Sequence, residues 1–188
     1  MASKETVMAA SPFRPALDLM AQYAGYHRDR RNITTHFVGV PMIVFALLAL
    51  LAGMRFTAGG ITLSLALLVW ILSSLWYLTR GEFILGLATV AANSLLLLLA
   101  LPVADAGFGS WLGCGLSALA LGWIIQFIGH YYEGRKPAFV DDLVGLLVAP
   151  MFVVGEALFM MGWGRDMLRE IERRAGPTYL RDLAQPVA

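Results

Sequence analysis

The chain has 188 residues, of which 59% are hydrophobic and 14% charged, with a formal net charge of +1. A soluble domain carries about 25% charged residues. The composition therefore excludes a disordered chain and a nucleic-acid binder with a basic face, and the lone Cys114 excludes an internally cross-linked scaffold. The length predicts one membrane domain over 1–188: an N-terminal helix and bend (1–36), a helical bundle (37–163) and an amphipathic tail (164–188).

Met1–Met20 contains Lys4, Glu5, Arg14 and Asp18 and no long apolar run, so it is not expected to be a cleaved signal. Pro12–Tyr26 reads as a short amphipathic helix with Phe13, Leu17, Met20 and Ala21 on one face, lying along the membrane or covering the bundle. His27 follows. The run Arg28-Asp29-Arg30-Arg31-Asn32 is expected to bend, with Asn32, Thr34 or Thr35 capping the next helix.

Only nine of the 27 charged residues fall between Asn32 and Asp142, and they separate uncharged runs of 23, 24, 22 and 27 residues. About 20 apolar residues suffice to cross a bilayer. Spans are expected at Phe37–Met54, Ile61–Leu78, Phe83–Val103 and Phe108–Tyr132. Short connections make successive helices antiparallel, so the fold class is an all-α polytopic transmembrane bundle of four full spans. A fifth apolar segment, Leu143–Trp163, is interrupted by Pro150 and Glu156 and reads as a kinked span or a re-entrant pair of half-helices. Beyond Arg165 the charges alternate, and Glu170 with Arg174 forms an i,i+4 pair on an exposed helix. Arg28, Arg30, Arg31, Arg80, Arg135 and Lys136 would all fall on one side, which the positive-inside rule makes cytoplasmic.

The three histidines, His27, His36 and His130, would emerge on that same side, because an even number of crossings separates them. Glu133 shares a helical face with His130, and Asp141 and Asp142 lie nearby in sequence. Imidazoles with a carboxylate suit a transition metal. One histidine alone reads as a membrane-edge residue satisfied by water and headgroups; three on one side with Glu133 make a candidate metal site. Ser117 lies 13 residues from His130 on one predicted helix, about 20 Å away, so the two form no catalytic dyad. A histidine-box di-iron site would need more histidines than three.

Three groups of residues resemble the signatures of one family. Tyr26-His27, Asn32, His36 and Gly39-Val40-Pro41 resemble the first. Gln126-Phe127-Ile128-Gly129-His130 with Glu133-Gly134-Arg135-Lys136-Pro137-Ala138-Phe139 resembles the second, and Ala149-Pro150-Met151-Phe152 with Glu156 a weaker third. From about Tyr26 to Trp163 the chain resembles the fungal-type 2-hydroxy-fatty-acid dioxygenases, small membrane proteins of fatty acid α-oxidation. The resemblance implies an Fe(II)-dependent enzyme that takes a 2-hydroxy fatty acid and O₂ and releases an acid one carbon shorter. His27, His36 and His130 would be iron ligands, and Glu133 a ligand or a carboxylate that orients one. Zinc could occupy the same site in purified protein.

On that reading the partners are the fatty acid, O₂ and membrane lipids. The acyl chain would lie among residues such as Phe45, Phe83, Trp123 and Phe127, and Arg135, Lys136 or the Arg28, Arg30 and Arg31 group would hold the carboxylate. The host membrane would be a bacterial cytoplasmic membrane or the endoplasmic reticulum. Two other readings stand beside it: a non-catalytic lipid-binding scaffold with a structural metal, and a bis-histidine haem protein.

Overall fold

The computed structural model describes residues 11–137 and 143–184, so Asp141 and Asp142 lie outside the described residues. The element order is α1 (Ala16–Ala24), α2 (Arg30–Gly53), β1 (Arg55–Ala58), β2 (Ile61–Ser64), α3 (Leu65–Leu78), α4 (Phe83–Asp105), α5 (Phe108–Glu133), α6 (Val144–Met160) and α7 (Arg165–Ala175). Three helices, α2, α4 and α5, are long and apolar enough to cross a membrane, and α6 with α7 forms a pair bent by 119°.

The expected span Ile61–Leu78 is not a single helix. Its first residues are β2, which pairs antiparallel with β1 around Gly59 and Gly60. Both glycines sit at positive φ (58° and 80°), the backbone that a two-residue hairpin turn requires. The remaining helix, α3, starts at Ser64, whose hydroxyl accepts from the Leu67 amide. Its 14 residues rise about 21 Å, short of the ~30 Å hydrocarbon core. Hydropathy scores Ile61 and Leu63 as membrane residues, whereas the Gly-Gly pair makes them part of a hairpin, so Ile61–Leu78 is not a full span. Among the described residues three helices are long enough to cross, or four if the bent pair α6–α7 is one span. The fifth apolar segment also takes a simpler form. It runs through Pro150 as one helix, and the chain breaks after it, where Gly162 and Gly164 sit at positive φ.

A seam of small residues sets the spacing between α2 and α5. Gly115, Gly122 and Gly129 recur every seventh residue on α5, all against α2, and on α2 Gly39 lies against Gly122 and Gln126 while Gly53 lies against Trp111. A Cβ at Gly122 would meet the Ile43 side chain and the Gly39 carbonyl; one at Gly115 would meet Leu50, and one at Gly129 would meet Thr35 and Asn32. Such contacts require the two backbones to approach closely, the usual device for packing helices where lipid gives no hydrophobic drive. Antiparallel register along this seam brings the N-terminal end of α2 beside the C-terminal end of α5.

The short helix α1 covers the bundle end. Its buried face is Ala16, Leu19, Met20, Tyr23 and Ala24, packed with Met151 and Phe152 of α6. Of the expected face, Met20 and Ala21 are buried and Leu17 packs against the same core, whereas Phe13 precedes α1, is 70% exposed and lies against the Arg80 guanidinium. Much of the rest of the apolar surface is outside: Leu72 and Leu75 on α3, Leu95 and Leu98 on α4, and Leu121 and Ile124 on α5 are exposed, as a lipid-facing surface requires. Ser117 is on that outer surface too, not packed between helices.

Candidate metal centre

The chain reverses between α1 and α2, and the reversal carries His27. Its ring stacks on Tyr23 (centroids 4.1 Å apart, 8° between planes) and leans on Phe152. His36 lies inside α2, because that helix begins at Arg30 and not at Phe37; Asp29 caps it by accepting from the Arg31 amide at 2.8 Å. His130 lies in the last turn of α5, which Gly134 ends in a left-handed conformation. The three rings meet edge to face with centroids 4.4, 4.9 and 5.2 Å apart. One ring nitrogen of each lies within 4.8 Å of the other two, and all three residues are buried.

Hydrogen bonding fixes two of the tautomers. His27 Nδ1 lies 2.7 Å from the Tyr23 carbonyl and His36 Nδ1 lies 2.8 Å from the Asn32 carbonyl. A carbonyl only accepts, so each Nδ1 carries its hydrogen and each Nε2 keeps a lone pair. Burial, reinforced by the neighbouring His36 and His130, pushes the His27 imidazole well below its ordinary pKa, so it stays neutral at pH 7. His27 Nε2 and His130 Nδ1 are buried with no hydrogen-bond partner among the described residues. Neutral imidazoles that donate their other nitrogen to a backbone carbonyl are the usual form of histidine metal ligands, so these residues fit a transition metal.

Glu133 stands apart from the three imidazoles and bonds the chain beside two of them. Its carboxylate accepts from the amides of Arg28 (3.0 Å) and Asp29 (2.8 Å) and from Asn32 Nδ2 (3.0 Å). Those bonds fasten the His27 reversal and the first turn of α2 to the end of α5. A strap of residues after α7, unforeseen in the sequence reading, holds the same reversal from the other side. The Tyr179 amide donates to the Arg28 carbonyl, the Arg30 amide donates to the Tyr179 carbonyl, and the Arg181 amide donates to Asp29 Oδ2 at 2.8 Å. Burial alone would raise the Asp29 carboxyl, but bonds from Arg31 and Arg181 outweigh it and hold it below the usual carboxylate range. Arg28 is buried as well, and its guanidinium lies 3.7 Å from the largely buried Glu156 carboxylate.

A cavity of about 270 Å³ opens beside the imidazoles, between α2, α5 and α6. His36, His130, Tyr23 and Gln126 line one part; Val40, Ile43, Val44, Leu47, Leu119, Trp123 and Leu146 make the rest apolar. Leu47 and Leu146 are both exposed, which puts the mouth on the outer apolar surface. Of the four aromatic residues expected along an acyl chain, Trp123 alone lines this cavity. Phe83 and Phe127 are exposed, and Phe45 packs in a second core with Leu48 and Leu97. None of the basic candidates for a substrate carboxylate, Arg135, Lys136, Arg28, Arg30 or Arg31, lines it. Arg31 instead donates to Asp29 and to the Arg181 carbonyl, and Arg135 to the Gly25 carbonyl.

The comparisons with known proteins bear on this geometry. Residues 13–161 match the family model for 2-hydroxy-palmitic acid dioxygenase Mpo1-like proteins. The chain belongs to the Mpo1-like family. It is 35% identical over 153 residues to the 2-hydroxy-palmitic acid dioxygenase MPO1 of Saccharomyces cerevisiae, an alignment covering 78% of this chain and 83% of that protein. No solved structure matches. The matched range takes in the histidine cluster, Glu133 and every residue that lines the cavity, but ends before the strap.

Proposed function

We propose that this protein is an Fe(II)-dependent dioxygenase, embedded in a membrane, that shortens 2-hydroxy fatty acids by one carbon. The observation that carries the reading is the pairing of three clustered, buried imidazoles with an apolar cavity whose mouth opens on the outer surface. His27, His36 and His130 hold the iron, and Glu133 orients the backbone that carries two of them. Iron supplies the redox chemistry with O₂ when bound. The chain supplies the rest: Val40, Ile43, Val44 and Leu47 take the acyl tail along about 10 Å of α2, and the helices exclude water from the reacting end. The yeast relative's name, which specifies 2-hydroxy-palmitic acid, agrees with a cavity of this chemistry. Arg30, Arg31, Arg135 and Lys136 all lie at the histidine end, and by the positive-inside rule they support a cytoplasmic position for it. A haem reading gains nothing here, because three rings meeting edge to face leave no slot between them for a macrocycle.

Two measurements test the proposal. Protein purified without strong chelators should hold about one transition metal per chain, and His36→Ala and His130→Ala should each lose it; full occupancy in either variant would overturn the site. Iron-loaded wild-type protein should consume O₂ with 2-hydroxypalmitate and yield the acid one carbon shorter. Metal bound with no uptake would favour the scaffold reading.

A further inference from the structure

We propose that Gln126 reads the 2-hydroxyl of the fatty acid and so distinguishes hydroxylated from ordinary chains; the inference rests on the dioxygenase reading. Gln126 lines the cavity, is 5% exposed, and its Oε1 is buried without a hydrogen-bond partner among the described residues. A buried acceptor left unmatched is costly and asks for a donor.

Both helices fix its place. On α5, Gln126 lies one turn before His130, on the same face. On α2, the residue it packs against is Gly39, one turn beyond His36: a Cβ there would meet Gln126 Cγ at 3.1 Å and Cδ at 3.2 Å. The missing side chain at Gly39 lets the glutamine lie flat against α2 with its amide in the cavity wall. Gln126 is therefore the next polar group below the imidazoles on the path of the acyl chain. A ligand whose polar end sits at the imidazoles passes its first carbons by this amide.

The chemistry selects the hydroxyl. An ionised carboxylate has no hydrogen to give to an amide oxygen. A methylene chain has none either. The 2-hydroxyl is the donor that such a ligand carries, and because a hydroxyl also accepts, it satisfies the amide in either orientation. A site built to bond a hydroxyl rejects the analogue that lacks it far better than an apolar pocket can reject an added group. Apolar walls alone would hold palmitate as readily as its 2-hydroxy derivative.

The test is a comparison of two ligands under anaerobic conditions, so that binding is read without turnover. Dissociation constants for 2-hydroxypalmitate and palmitate are measured on metal-loaded wild type, Gln126→Leu and Gln126→Met, the second keeping the length of the side chain. Metal content is measured on each. Wild type is expected to prefer the hydroxy acid about tenfold; either variant should lose that preference while binding palmitate as before and keeping its metal. A wild type with no preference overturns the proposal. So does a variant that keeps the ratio, including one that weakens both ligands equally, since that is the signature of a structural role. Oxygen uptake by wild type judges the dioxygenase reading separately: selective binding without uptake would sink that reading and leave Gln126 as the hydroxyl contact.

Discussion

The two ends of the α2–α5 pair are built from the same kind of helix and could hardly differ more. Of the twelve buried polar or charged residues described, eight gather at the histidine end: His27, Arg28, Asp29, Asn32, His36, Gln126, His130 and Glu133. At the opposite end α2 runs into a hairpin whose turn glycines face open space, and the ion pair Arg55–Asp105 lies exposed. Burying polar groups is expensive unless each is bonded. A fold that needed only to close its helices would have used the inexpensive solution at both ends. The costly end is the one that orients three imidazoles, and the difference marks where function constrains the chain.

Glu133 offers the most severe way to break that contrast short of removing a ligand. Glu133→Gln keeps the shape but replaces one acceptor oxygen with a donor that faces the Arg28 and Asp29 amides. The expected loss is about 2–3 kcal/mol, a fall of roughly 5–10 °C in Tm. Metal affinity should drop about 10–100-fold, as it does when groups supporting metal ligands are removed. Chelator competition and thermal unfolding measure the two. Unchanged metal affinity alongside lowered stability would show that Glu133 holds the fold without orienting His27 or His36.

The convergence of the histidines was legible in the sequence, because helix parity alone brings the start of α2 and the end of α5 to one side. It survived the loss of a full span, since α3 still returns the chain although it is only 14 residues long. The three-residue spacing placed Glu133 at the same end of α5 as His130, but its carboxylate bonds the Arg28 and Asp29 amides and Asn32, not the imidazole. The acyl path was less so. Trp123 and Phe127 are four apart and read as neighbours, yet one lines the cavity and the other is exposed. On a helix that is apolar all round, hydropathy does not tell the protein-facing side from the lipid-facing side. The seven-residue recurrence of Gly115, Gly122 and Gly129 does tell it, and reading that seam against Gly39 would have turned Gln126 inward. The strap had no such signal. Its bonds to residues 28–30 are made largely by backbone groups of Tyr179, which any residue but proline can supply.

That dependence on backbone makes the strap separable from side-chain chemistry. Tyr179→Pro removes the amide that donates to the Arg28 carbonyl and leaves the neighbouring carbonyl able to accept from Arg30. Tyr179 is partly exposed, so water can replace part of the lost bond. The expected cost is about 1 kcal/mol, or 2–4 °C in Tm, with a several-fold loss of metal affinity. A metal site untouched by this change would reduce the strap to a cover and leave Glu133 as the principal support of the reversal.

The smallest effect belongs to the other end and completes the contrast. Asp105→Asn breaks the ion pair with Arg55, whose side chain is 45% exposed against 63% for the aspartate. Exposed pairs contribute about 0–1 kcal/mol because water and salt screen them. Unfolding should shift by no more than about 4 °C, and metal affinity should not change, since the pair lies at the far end of α2 from His36. A change in metal affinity here would carry a specific meaning. The α2–α5 seam would then be transmitting a displacement along its whole length, and the two ends would be one mechanical unit instead of a costly site and an inexpensive cap.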